Sequence, residues 1–157
     1  MIINFGIMKE YWSSTTQAHM PFYQGRCLTG TPVFGSINNY LGVMPGRCDD
    51  LESLIYMLIY FIRGSLPWLT SDHEKLSSSS ILAHKVDTNI EALCLRIPPE
   101  ITTMLIYSRN LAFSEDPDCN YLRSLLHDVY ATLPAPAMHS LDFSQSNDLV
   151  THPACHV

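Results

Sequence analysis

The sequence predicts a single, mainly α domain, and three stretches carry that prediction. From Leu54 to Ile62 every side chain is apolar or aromatic. A helix there has no polar stripe to offer water, so it is expected to be a core helix enclosed on all sides. Further along, a helix opened by Pro99 places Ile101, Met104, Leu105 and Leu111 on one face, and another opened by Pro117 sets Tyr121, Leu122, Leu125, Leu126, Val129 and Tyr130 at helical spacing. At 157 residues the chain fits one domain with a core able to stand alone. Its 46% hydrophobic and 15% charged content points to surface meant to be covered.

Taken in order, Met1 to Lys9 is a short apolar run with a turn at Gly6, expected to be a buried strand. Residues 10–25 are polar and mixed, with no period of 2 or 3.6, and are expected to form an irregular loop. Residues 25–42 hold Gly25, Gly30, Gly35, Gly42 and Pro32, a stretch shaped by its backbone and so a candidate working loop. The central helix is expected over about 49–63. Its start is marked by Asp49, three residues before Glu52 in capping-box order, and its stop by Gly64 with Pro67 beyond. The serine run at 77–80 is expected to be an exposed loop. Pro134 and Pro136 end the last helix, and 134–157 is expected to be a disordered tail.

Charge and composition exclude several classes. Nine Lys and Arg against 15 Asp and Glu give a net charge of −6, and no basic cluster interrupts the chain, so nucleic-acid binding has no electrostatic footprint. The apolar run of the central helix is less than half of the roughly 20 residues a membrane span needs. Five widely spread cysteines, Cys27, Cys48, Cys94, Cys119 and Cys155, read as reduced thiols of a cytoplasmic or nuclear protein. His152, Cys155 and His156 form the one tight set of metal-ligand types, but three ligands on a Pro-containing tail fall short of a fixed four-ligand site. The remaining histidines read as surface residues.

Asn4-Phe5-Gly6, Leu28-Thr29-Gly30-Thr31, Ser36-Ile37-Asn38, Asp49-Asp50-Leu51-Glu52-Ser53-Leu54 and Gly64-Ser65-Leu66-Pro67-Trp68 occur in that order, followed by Ile90-Glu91-Ala92-Leu93-Cys94, Pro98-Pro99-Glu100, Pro117-Asp118 and Tyr121-Leu122-Arg123. This series resembles the casein kinase 1 family of serine/threonine protein kinases. The Ser-Ile-Asn segment is the most telling part, because most protein kinases read Ala-Pro-Glu there. The resemblance implies a protein-kinase-like C-terminal lobe over 1–133 that lacks the N-lobe and catalytic loop. Its activation segment would span 4–38, and the Asp50 helix would be its central pillar.

The family's cofactors are ATP and magnesium, and its chemistry is mostly positioning and charge stabilisation. The resemblance places the chain's start three residues before the metal-binding turn, so a Gly-rich loop, a nucleotide-clamping Lys and a catalytic Asp have no counterparts in this sequence. No catalytic residue can be named, and no cofactor is expected for this chain alone. The family's magnesium-binding Asp falls on Asn4, whose amide oxygen can coordinate a hard cation but, without the negative charge, more weakly. Leu28, Thr29, Gly30 and Thr31 fall on the loop that shapes the substrate groove. After Thr31, where the family has a basic residue for phosphate or acidic groups, the chain reads Pro32-Val33-Phe34, and beyond Trp68 the family's lysines are replaced by an acidic segment.

Three residues are implied to be structural. Trp68 belongs to the Leu-Pro-Trp motif. Asp50 matches the acid that accepts catalytic-loop amides in protein kinases, and here is expected to serve as an acid at a helix N-terminus. Arg109 resembles the family's buried arginine, whose partner in most kinases is the Glu of Ala-Pro-Glu; Asn38 stands at that place, as it does in the family, so the usual ion pair cannot be assumed. Ile55 takes the place of a family glycine, where a large side chain overpacks unless its neighbour has gone. These readings predict a degenerate module, inactive alone, that binds a protein partner through exposed lobe surface. The alternatives are an incomplete piece of an ATP-dependent serine/threonine kinase that phosphorylates proteins when full length, and a relic without function.

Overall fold

A computed structural model describes residues 8–25, 27–69 and 76–133. After a two-stranded antiparallel hairpin, β1 (Trp12–Ser13) and β2 (Ala18–His19), the fold is helical: α1 (Ile37–Tyr40), α2 (Arg47–Arg63), α3 (Ser78–Asp87), α4 (Ile90–Leu93), α5 (Pro99–Asn110) and α6 (Cys119–Thr132). A 3-10 turn at Pro32–Phe34 precedes α1. The mainly α expectation holds. Among the described residues no helix is long and apolar enough to cross a membrane.

The long helix α2 forms where the apolar run lies but begins two residues earlier than expected. Gly46 is the N-cap, and its backbone N–H donates to Asp49 Oδ2 at 2.7 Å. Asp49 is therefore the acid that closes the first turn from inside, not the cap itself. Glu52, expected to complete that box, is turned into the core. At the other end Gly64 takes the left-handed conformation, φ 77°, and donates its N–H to Tyr60 O at 2.7 Å.

α5 packs on α2 on one side and on α6 on the other, with α4 against α5. Ile55, Tyr56 and Ile59 of α2 are fully buried against Ile101, Met104 and Leu105 of α5. Ile55 is thus accommodated in the core. The expected enclosure of α2 on all sides is not found: Leu54 is 40% exposed, Ile62 48% and Phe61 69%. α5, α1 and the 3-10 turn pack against α2, and Leu58 and Tyr60 are partly buried at the core's edge, while Leu54, Phe61 and Ile62 meet solvent.

Pro99 occupies the first turn of α5, where its missing N–H costs nothing. Asp118, not Pro117, starts α6, accepting from the Asn120 and Tyr121 N–H groups at 3.0 and 2.9 Å. Of the expected apolar face of α6, Leu122 is buried and Leu125 and Val129 pack against the core, while Tyr121, Leu126 and Tyr130 are exposed. The serine run is not a loop. Ser77 Oγ accepts from Ser80 N at 3.2 Å and caps α3, which buries Ile81 and Lys85 one turn apart. The expected loop at 10–25 contains the hairpin, whose two-residue strands are too short to show a period of 2. Residues 1–7, where the buried strand was expected, and the 134–157 tail, with His152, Cys155 and His156, lie outside the described residues.

Gly46 and Gly35 make opposite predictions. A Cβ on Gly46 would lie 2.9 Å from Phe113 O and 3.0 Å from Phe113 Cδ2, whereas on Gly35 it would meet nothing nearer than 3.4 Å. Gly46→Ala is expected to destabilise by about 1–3 kcal/mol, and Gly35→Ala to be tolerated. Urea unfolding midpoints compare the two, and equal midpoints would contradict the close approach of the Phe113 segment to the start of α2.

Candidate functional site

A cleft of about 630 Å³ opens beside the N-terminal half of α2. Asp50, Leu54 and Met57 form the α2 side, Thr29 to Thr31 and Phe34 form a second wall, and the hairpin and Phe113 close a third. Three of the four residues predicted to shape a substrate groove therefore come together here; Leu28 is half-buried and does not line the cleft. The sequence held no sign of the hairpin's part.

The groove loop is shaped by its own backbone, as its glycines suggested. Gly30 lies in the left-handed region at φ 88°. Asn39 clamps Thr29 from both sides, its Oδ1 accepting from Thr29 N at 3.2 Å and its Nδ2 donating to Thr29 O at 2.7 Å. The Thr29 hydroxyl donates to Cys27 O at 3.1 Å, and Tyr40 OH donates to Pro32 O at 2.6 Å.

The next turn of chain is pinned from the core. Trp68 is buried, stacks edge-on against Tyr56 with ring centroids 5.0 Å apart, and donates its indole N–H to Val33 O at 2.8 Å. Lys85 has no exposed surface, and its ammonium donates to Val33 O at 3.0 Å and Gly35 O at 2.7 Å. It also stands 4.2 Å from the Tyr56 ring centre and 4.4 Å from that of Trp68. Burial pushes the Lys85 pKa down to about 7, Glu52 opposes that shift, and Arg109 adds to it. The ring faces and carbonyls favour the cation. Thus where the resemblance calls for a basic surface residue, Val33 instead offers its carbonyl to two donors from inside. Nothing in the sequence marked Lys85 except its position one turn after Ile81.

Arg109 lies at the junction of α2 and α5, and its carboxylate comes from α2. Its Nε donates to Glu52 Oε1 at 3.2 Å and its Nη2 to Tyr56 OH at 2.7 Å, while that hydroxyl donates to Glu52 Oε1 at 2.5 Å. The second Glu52 oxygen accepts from Ile37 N at 3.4 Å, at the start of α1. Burial, then the Glu52 charge, raises the Tyr56 pKa. Burial lowers that of Arg109, but Tyr56 and Glu52 more than offset it, so the net direction is upward. Asn38 and Arg109 both line a second, smaller cavity of about 210 Å³.

Asp50 sits in the first turn of α2, as expected for a helix N-terminal acid, and is solvent-exposed on the cleft side. Desolvation, then the neighbouring Asp49 charge, raises its pKa. Asp49 is buried, and its Oδ1 has no hydrogen-bond partner. The Cys48 thiol beside it is pushed up to about 12 by burial and then by Asp49. Cys27 and Cys119 are exposed, Cys48 and Cys94 buried, and all four are free thiols. Among the described residues no group of three or more His, Cys, Asp or Glu is placed to hold a metal, and Asn4 lies outside them.

Removing the guanidinium should strand the Glu52 carboxylate. Arg109→Met is expected to cost about 3–5 kcal/mol, and Glu52→Gln less, because an amide tolerates burial better than an unpaired charge. Equal losses in denaturant unfolding would argue against a buried ion pair. Lys85 gives a pH signature. Its folded pKa of about 7 lies below the unfolded value of about 10.4. Between those limits the unfolded chain holds the extra proton, so the Lys85 contribution to stability should rise with pH through that window and level off outside it, against the opposite trend from the raised Cys48 thiol. Lys85→Met should remove the rise. Urea midpoints from pH 7 to 10 test this, and parallel profiles for the two proteins would refute it.

Scanned against models of known protein families, the chain matches none.

Proposed function

We propose that this chain is a degenerate casein kinase 1-like module that binds a protein partner and does not itself transfer phosphate. The observation that carries this reading is exposed apolar surface on α2, where Leu54, which lines the cleft, and Phe61 and Ile62 further along the helix meet solvent. Exposed apolar surface of this kind marks interaction sites or aggregation liabilities. Two further observations support it. Asp50, which the resemblance pairs with catalytic-loop amides, is exposed on the cleft. The turn that would greet a phosphorylated substrate carries Val33 where the resemblance expects a basic residue, and the acids Asp49 and Asp50 lining the cleft repel phosphate.

The test is thermal melting of the purified chain with and without magnesium-ATP, alongside binding of a hydrophobic dye. A ligand at 100 times its Kd stabilises by about 2.7 kcal/mol, a shift of several degrees for a domain of this size. No nucleotide shift and clear dye binding are expected. A nucleotide-dependent rise in Tm, or a monodisperse monomer that ignores the dye, would overturn the reading.

A further inference from the structure

Asp50, Leu54, Met57 and Phe61 follow one another along α2 at intervals of four, three and four residues, the spacing of a helix–helix seam. At 1.5 Å per residue the seam runs about 17 Å, or three turns. Leu54 and Phe61 are 40% and 69% exposed, and Asp50, Leu54 and Met57 also line the cleft. Met8, which is 67% exposed, and the half-buried Met20 line it as well. Methionines repack readily, and surfaces rich in them accept apolar segments of varied shape.

The charge along this seam is one-sided. Its N-terminal end holds Asp50 beside Asp49, whose buried Oδ1 has no partner. The nearest cation on the same helix, Arg47, is committed to an ion pair with Asp116 and to the face of Tyr11, 4.3 Å away. On the facing segment Lys9 and Glu10 both line the cleft and offset one another in formal charge. Among the described residues neither Asp49 nor Asp50 takes part in an ion pair, while the rest of the seam is apolar.

We propose that this seam takes an amphipathic helix from a partner protein, with apolar residues at one-turn spacing against Leu54, Met57 and Phe61 and a Lys or Arg at the end that meets Asp50. This rests on the protein-binding reading above and adds the partner's chemistry. Helix-in-groove recognition uses such anchors at i, i+3, i+4 and i+7. The basic residue fixes which end of the incoming helix lies where, since charge complementarity sets register more than it sets affinity.

Three fluorescein-labelled synthetic peptides of equal length test this against the full chain by fluorescence anisotropy. One carries a leucine seam ending in Arg, the second ends in Glu, and the third keeps the Arg but has a central proline that breaks the helix. The Arg peptide should bind about tenfold more tightly than the Glu peptide, and the proline peptide should bind weakly. Asp50→Asn should erase the preference between the first two, and Phe61→Ser should weaken both. Asp50 and Phe61 are exposed, so both variants should fold. Equal affinity for the Arg and Glu peptides, full affinity for the proline peptide, or no binding at all would overturn the inference. So would a concentration-dependent dimer that Phe61→Ser dissolves, which would assign the seam to a second copy of the chain. The nucleotide melt tests the non-catalytic reading separately, so either proposal can fail while the other stands.

Discussion

Glu52 is a carboxylate with 5% exposure in the middle of the helix that anchors the core, and an unpaired charge there would cost several kcal/mol. Three elements meet that demand. Arg109 reaches it from α5, Tyr56 from the next turn of α2, and the Ile37 N–H from the start of α1. Because each donor belongs to a different stretch of chain, satisfying one carboxylate fixes the angle between α2 and α5 and the position where the groove loop enters α1. The apolar contacts around it, Ile55 and Ile59 against Ile101 and Leu105, are non-directional and would tolerate several packings. The carboxylate network restricts them to one.

Lys85 does for the loop what Arg109 does for the helices. Its ammonium gathers the carbonyls of Val33 and Gly35, and Trp68 takes the Val33 oxygen from another direction. With Asn39 holding Thr29 and Tyr40 holding Pro32, the segment from 29 to 40 is tied at many points. One wall of the cleft is therefore preorganised, which lowers the ordering cost of binding there. Glu52 lies close enough to Lys85 to oppose its loss of charge, so the two buried networks support one another electrostatically.

What the sequence revealed follows from where it carried local signals. α2 and α5 were legible because Gly64 and Pro99 punctuate them and their apolar residues recur at helical spacing. The start of α2 was misplaced by two residues because an acid can cap from the third helical position as well as from the N-cap, and Gly46 gave no polar side chain to mark the boundary. α3 was hidden because a serine run looks like solvated loop until one of its members is seen to be a cap. The groove loop was visible through its glycines, but the opposite side of the cleft was not, since strands of two residues leave no pattern. Lys85 and the partner of Arg109 depend on contacts between residues about fifty apart, which no local period records.

The failed expectation about α2 is the most informative. A run of nine apolar residues was read as demanding cover all round, yet full burial is confined to Ile55, Tyr56 and Ile59, with Leu58 and Tyr60 packed at the core's edge. Leu54 and Phe61 contribute little to that core, and polar residues at those two positions would cost the fold little while removing surface that water disfavours. Folding stability therefore gives no reason for large apolar side chains there. The proposed partner helix would cover them, and the acid at the head of the same face sets the charge that such a cover should carry.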